Sequence, residues 1–446
     1  MAWLQRRTQA IKERWERILL QELFVFSGGL EGAWVTSSGW IPGKELQHSH
    51  DRTGVTHREG RVVGLQLGYN GLIGVLSPSC GLFSKLRVLD LSGNFLKGTL
   101  DPICALRSVE FVNLSSNVLS GTISDEIGSM TTLQQLFLGN NKLTGSVPDS
   151  LSSLNKLSVL CLANNNLTGV LPRGLAALST LSVLAIQGNR LKGSLTELGG
   201  LTALRSFHAS GNRWTGDIPP LRALPGLRVF ACQGPGYDRG LSGGLQNMLK
   251  LDSKTSGKAM QLVRLDLSCH ALDGGIPVGL RALRCLEILI LFQNNLSGRL
   301  PSWLGELRYL RHIDLHANCL EGPVPPSLAE LPHLDTLLLE QNALDGELPS
   351  KIAAIVQRGG IRITFDGNST CHRRQTVVQG FDSLQVPKTL NREGTGHEMR
   401  NANGIEENCV DLLKEPKGAA RSAVTRPPRS AGDEPPRTGR RGTEIL

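Results

Sequence analysis

The chain has 446 residues and a formal net charge of +9, and aromatic residues make up only 4% of it. Such a length ordinarily divides into two or three domains, and so basic a balance invites a nucleic-acid reading. The positive excess is spread thinly from end to end instead of gathered into a stripe, so no nucleic-acid partner is expected. No stretch approaches about 18 apolar residues, and no transmembrane segment is expected either.

Taken from the amino terminus, Ile11, Trp15, Ile18, Leu19, Leu23 and Phe26 recur at helical spacing and predict an amphipathic helix over residues 9–26. Glu13, Glu16 and Glu22 on the same stretch argue against a helix lying on a membrane surface. The segment is charged throughout and offers no apolar run with a cleavage site, so no secretory signal is expected.

The organising feature comes next. Leu133 to Lys156 reads LQQLFLGNNKLTGSVPDSLSSLNK, and Leu157 to Thr180 reads LSVLCLANNNLTGVLPRGLAALST, with the same apolar, Asn, Gly and Pro positions. The shared template is L-x-x-L-x-L-x-x-N-x-L-x-G-x-(I/V/L)-P. Its Asn falls at Asn70, Asn94, Asn117, Asn141, Asn165, Asn189 and Asn212, and again at Asn294, Asn318 and Asn342. A Gly follows each of these four residues on, whereas the Pro begins only at Pro148. A fixed period of this length signals a solenoid. In L-x-x-L-x-L, two leucines two apart share one face of a short strand and point inward. One turn cannot bury its own apolar side, so turns stack around a common core.

The repeat resembles the plant-type class of leucine-rich repeats, similar to receptor-like proteins of that family without a kinase domain. Trp34, Trp40, Gly54-Val55 and Gly60-Arg61-Val62-Val63 resemble the amino-terminal cap of such proteins, with Arg52-Thr53 standing where a Trp is usual. The resemblance implies an α/β repeat fold: a right-handed horseshoe-shaped solenoid of about 12 repeats of 24 residues, with a parallel sheet on its concave face. It also implies that the template asparagines form a ladder bonding the backbone of adjoining turns. Secreted relatives carry paired cap cysteines. Here nine cysteines are scattered and none precedes Cys80, so a reducing, cytoplasmic setting is expected, with a secreted or cell-surface one as the alternative.

Three segments follow: a cap over residues 1–60, a solenoid over 61–371, and a tail over 372–446 whose Pro, Arg and Gly content is that of a disordered chain. Within the solenoid, Asn212 and His270 are too far apart for two periods, so an insertion is expected near 233–261, and a carboxy-terminal cap from about 350. His270 takes a ladder position, where a ring cannot match the geometry of an amide, and a local defect is expected there.

Enzymatic chemistry finds no foothold. Gly240-Leu241-Ser242-Gly243-Gly244 matches the hydrolase elbow G-x-S-x-G, but every repeat carries its own L-[ST]-G at that place. No cofactor or metal motif is present, and the expected function is non-enzymatic recognition of a protein or peptide on the concave face. In the early repeats the residues flanking the strand leucines are small or neutral. Later they are Arg264, Asp266, Ile290, Phe292, His312, Asp314, His316 and Glu340, which form the candidate binding patch. Its acids favour a partner that is basic or of mixed charge. The alternative reading is an extracellular or cell-surface receptor-like protein that senses a peptide or glycan.

Overall fold

The structure, a computed structural model, describes residues 2–29, 32–36, 40, 52–235, 240–249 and 260–368. The Pro-, Arg- and Gly-rich segment 372–446 and parts of the expected insertion lie outside them.

Each repeat begins with a short strand, and these strands build one 14-stranded sheet in chain order. Only the first pair, Val55–Arg58 with Arg61–Gln66, is antiparallel. From there each strand pairs in parallel with its neighbours, and the template positions stay in register, as in Leu136, Leu160 and Leu184 side by side. These inward leucines are fully buried. Burying each contributes about 1.5–3 kcal/mol, and stacking them gives a core that runs the length of the chain.

After each strand the chain turns through a left-handed residue, such as Asn140 with φ 55°, and then the ladder asparagine. Asn141 shows the pattern. Its Oδ1 accepts from the Leu119 N–H at 3.1 Å, and its Nδ2 donates to the carbonyls of Leu114 at 3.0 Å and Leu138 at 3.1 Å. One buried amide thus closes backbone groups of two turns that no strand reaches, each costly if left unpaired. The same two-way bonding recurs from Asn94 through Asn342 and again at Asn368. Asn70, the first rung, bonds Thr36 of the cap instead.

Beyond the ladder, residues such as Lys142–Thr144 pair into smaller parallel sheets, and short 3-10 helices such as Asp149–Ser153 carry the chain back. Pro148, extended at ψ 145°, leads into that turn. At the far end helix α2 (Ser350–Gln357) buries Ile352, and the strand Arg362–Thr364 pairs with Thr336–Leu338 as the last of the sheet.

The amino-terminal helix α1 spans Ala2–Phe26 and packs on the first repeat. Its packed face differs from the expected one. Leu19, Leu20, Leu23 and Phe24 are buried, whereas Ile11, Trp15, Ile18 and Phe26 are exposed. The reason lies in Glu16, which is buried on the packed face because it accepts from Arg61 and from the Val62 N–H. Behind the helix, Phe24, Trp34 and Trp40 form one aromatic cluster. Arg52, in the place of the usual Trp, lays its guanidinium 5.3 Å above the Trp40 ring.

The enlarged repeat keeps its strand. Val229–Ala231 pairs in register with Ser206–His208 on one side and Arg264–Asp266 on the other. The extra residues are therefore accommodated after the strand, in the return path, where loop length costs little. His270 is not a defect in the ladder. Its Nδ1 accepts from the Leu241 N–H at 3.1 Å, and its Nε2 lies 2.5 Å from the Cys232 carbonyl. The ring uses one nitrogen for each job that an amide does with its oxygen and nitrogen.

Candidate functional site

The candidate patch lies on the face of the long sheet turned away from the core. Pairing in register sorts its residues into rows across the strands Arg264–Asp266, Ile288–Ile290, His312–Asp314 and Thr336–Leu338. Arg264, Ile288, His312 and Thr336 form one row, and Asp266, Ile290, Asp314 and Leu338 the next. Two residues further on come Phe292, His316 and Glu340.

The middle row is a floor. Asp266, Ile290 and Asp314 are buried, because neighbouring strands about 4.8 Å away press on both sides of them. Their carboxylates hold other protein groups. Asp266 Oδ1 accepts from the Ser268 N–H and hydroxyl, and its other oxygen stands 3.5 Å from the Arg264 guanidinium. Asp314 Oδ1 accepts from the His316 N–H and lies 2.6 Å from His316 Nδ1. Glu340 takes the Thr364 hydroxyl.

Above that floor stands a platform. The His316 imidazole stacks on the Phe292 ring with centroids 4.5 Å apart and planes 10° apart, and both residues are half-exposed. Asp314 holds the imidazole from one edge and the Phe292 ring packs on one of its faces. Arg264 and His312, half-buried, stand in the first row, on the other side of that floor.

Electrostatics separates the two histidines. Burial lowers the pKa of His312, against the pull of Asp314 and Asp335. Burial also opposes charge on His316, but the hydrogen bond to Asp314 and the charges of Asp314 and Glu340 outweigh it, and the net shift is upward. His316 should therefore titrate above 6.5 and His312 below it, with Asp314→Asn moving the His316 midpoint downward. Imidazole NMR titration checks this; a His316 midpoint at or below that of His312 contradicts it.

A second inner-face feature is not apparent from the small or neutral residues of the early repeats. Phe137, Val159, Cys161, Ala163, Val183 and Ala185 form a buried apolar cluster of their own, separate from the core, with Phe111 packed against it. The signal in the sequence was the run of Phe and Val at outward strand positions. Cys161 is disulfide-bonded, whereas Cys80, Cys104, Cys232, Cys269, Cys285 and Cys319 are thiols. Among the described residues no group of three His, Cys, Asp or Glu side chains could hold a metal ion, and no helix is long and apolar enough to cross a membrane.

Two family models match the chain, a leucine-rich repeat region over residues 70–219 and a leucine-rich repeat over 284–344. No curated protein matches the sequence. Among solved structures, PEPR1 with AtPEP1 is similar at 28% identity and a TM-score of 0.61, over 73% of this chain and 49% of that one. The plant peptide hormone receptor RGFR1 with RGF2 is similar at 26% identity and 0.54, over 66% and 50%. The Arabidopsis receptor kinase HAESA, with the peptide hormone IDA and the co-receptor SERK1, is similar at 31% identity and 0.52, over 62% and 49%. The chain thus spans about half the length of the plant receptors that it matches. Register, asparagine ladder, second sheets and these likenesses agree: the chain carries a leucine-rich-repeat solenoid of the plant type.

Proposed function

We propose that this chain is a recognition module that binds a peptide or an extended protein segment on the inner face of the repeats following the enlarged one. The Phe292–His316 stack carries the reading. Flat aromatic anchors held in place before binding tend to dominate interfaces, because little freedom remains to be lost. The acids around it are already engaged, so the anchor is apolar and Arg264, His312 and Glu340 supply a rim of mixed charge. A partner of mixed charge fits that rim.

The likeness to receptors of peptide hormones supports a peptide partner and a setting at the cell surface or outside the cell. The cytoplasmic preference drawn from scattered cysteines finds no support among these relatives.

The test uses a displayed library of random peptides, selected on the full chain. Enriched peptides should lose about thirtyfold in affinity, roughly 2 kcal/mol, on Phe292→Ala. They should bind Gln66→Ala and Val88→Ala as they bind the unaltered chain. Peptides that bind Phe292→Ala with undiminished affinity would place recognition elsewhere, as would a library with no enriched member.

A further inference from the structure

Helix α1 covers the first repeat with one side and carries a second apolar stripe on the other. Ile11, Trp15 and Ile18 are 51%, 61% and 43% exposed, and Val25 and Phe26, also exposed, continue the stripe to the helix end. At roughly 3.6 residues per turn, positions 11, 15, 18 and 25 share one face, opposite Leu20 and Phe24. The stripe runs on into an open hollow that Val25, Phe26, Ile73 and Phe95 line together with Lys97.

The charges along α1 are sorted between the two sides. In the sequence, Glu13, Glu16 and Glu22 argue against a lipid surface, but the structure engages all three with protein groups. Glu16 is buried against Arg61 and the Val62 N–H. Glu13 Oε1 accepts from Gln9 Nε2 at 3.0 Å, on the side of the helix that meets the turn at Glu59 and Gly60. Glu22 lies within the stripe, and its carboxylate takes the hydroxyl of buried Ser79. The bases stand differently. Lys12, Arg14 and Arg17 are exposed and border the stripe, Lys12 one turn from Trp15 and Arg14 one turn from Ile18.

A helix with Trp and Ile along one face and bases at its borders has the composition of one lying in the plane of an anionic lipid surface. A second copy fits this face poorly. Packing the stripe on itself about a two-fold axis brings Lys12, Arg14 and Arg17 of one copy toward the same bases of the other. Like charges so placed oppose association. Lipid phosphates instead offer each base an opposite charge. The indole of Trp15, apolar with a single N–H, suits the boundary between headgroups and acyl chains.

We propose that the outer face of α1, centred on Ile11, Trp15 and Ile18, docks this chain on a surface of anionic phospholipid. The strand Ile288–Ile290, which leads to Phe292, lies nine steps along the long sheet from Arg61–Gln66, the strand on which α1 packs. That is about 43 Å at ~4.8 Å per strand. Docking through the capped end therefore leaves the Phe292–His316 platform clear of the lipid and open to a partner.

The test sediments the full chain with vesicles of phosphatidylserine and phosphatidylcholine, and with vesicles of phosphatidylcholine alone. Affinity should be tenfold or more higher for the anionic vesicles and should fall as salt is raised. Replacing Ile11, Trp15 and Ile18 together with Ser should weaken binding tenfold or more. These side chains are exposed, so the urea midpoint should not fall. Lys12→Gln with Arg14→Gln should lower affinity for the anionic vesicles about tenfold and leave that for phosphatidylcholine unchanged. Bases elsewhere in the chain are untouched in both variants, so these losses belong to α1. No binding to the anionic vesicles, equal binding to both kinds, or a triple Ser variant that binds as the unaltered chain does would each overturn the proposal. A dimer in analytical ultracentrifugation that the triple variant dissolves would also overturn it, because the stripe would then belong to a second copy.

Discussion

His270→Ala should cost about 2–6 kcal/mol, measured as a lower urea midpoint together with lost protection of the Leu241 amide in hydrogen exchange. The substitution unpairs two backbone groups at once, the Leu241 N–H and the Cys232 carbonyl, and each is worth about 1–3 kcal/mol when buried and unsatisfied. His270→Asn should recover roughly half. An asparagine Oδ1 lies as many bonds from the backbone as histidine Nδ1 and can still take the Leu241 N–H. Its Nδ2 falls one atom short of histidine Nε2 and of the Cys232 carbonyl. The same bonds set a pH dependence. Burial lowers the His270 pKa to about 4 despite the opposing bond to Cys232, and burial followed by the charge of Arg264 lowers His208 likewise to about 4. Both groups are neutral in the folded state and ordinary histidines near 6.5 in the unfolded one. Between those values the unfolded chain binds more protons, so stability is full above about pH 6.5 and falls as the pH drops toward 4. The loss is roughly 3 kcal/mol for each group. His270→Asn should flatten its share of that slope. An unchanged melting midpoint from pH 7 to pH 4.5 would contradict the assignment.

The repeat was legible in the sequence because it is local chemistry stated many times over. The period located the strands of the repeats and the ladder asparagines from Asn70 to Asn342, since a one-residue slip would turn every inward leucine outward. The packed face of α1 was less legible. Ile11, Trp15 and Ile18 are as apolar as Leu19, Leu20 and Leu23, and what chooses between the two stripes is an ion pair to Arg61, distant in the chain. The role of His270 depended on the same kind of distant partner. Nothing near it in sequence announces the Leu241 amide or the Cys232 carbonyl.

The candidate patch was legible in its composition but not in its depth. Alternation along a strand marks Asp266, Ile290 and Asp314 as outward, and outward suggests exposed. In a sheet of closely spaced parallel strands, however, the central outward position is walled in from both sides, so these residues became a floor. Phe292 and His316, two residues past that centre, kept their exposure and stacked. A carboxylate on such a floor needs its own donors, which is why Asp266 is followed two residues on by Ser268 and Asp314 by His316. The pairing of an outward acid with a donor two residues later was present in the sequence. It could have been read as a sign of burial rather than of a charged surface.

Glu16→Ala should be the most damaging single change in the cap, costing about 3–5 kcal/mol, the range for breaking a buried ion pair from one side. Glu16 Oε1 accepts from Arg61 Nε at 2.8 Å and from Nη2 at 2.6 Å, and its Oε2 accepts from the Val62 N–H at 2.8 Å. Side-chain exposure is 5% for Glu16 and 14% for Arg61, so water cannot replace the lost partner in place. With alanine at 16, the guanidinium retains Ser84 as a hydrogen-bond partner at 3.1 Å, and the Val62 N–H loses its acceptor. Glu16→Gln should cost less, because its amide oxygen can still accept while the attraction between full charges is lost. The consequence reaches past one bond. Leu20, Leu23 and Phe24 are held over the first repeat by the same helix, and a solenoid end stripped of its cover presents an open apolar edge. Trp34 and Trp40, packed on Phe24, give the readout. In Glu16→Ala their fluorescence should shift to longer wavelength at a urea concentration below that at which the sheet unfolds by circular dichroism. If the two transitions coincide with those of the unaltered chain, Glu16 is not what anchors the cap.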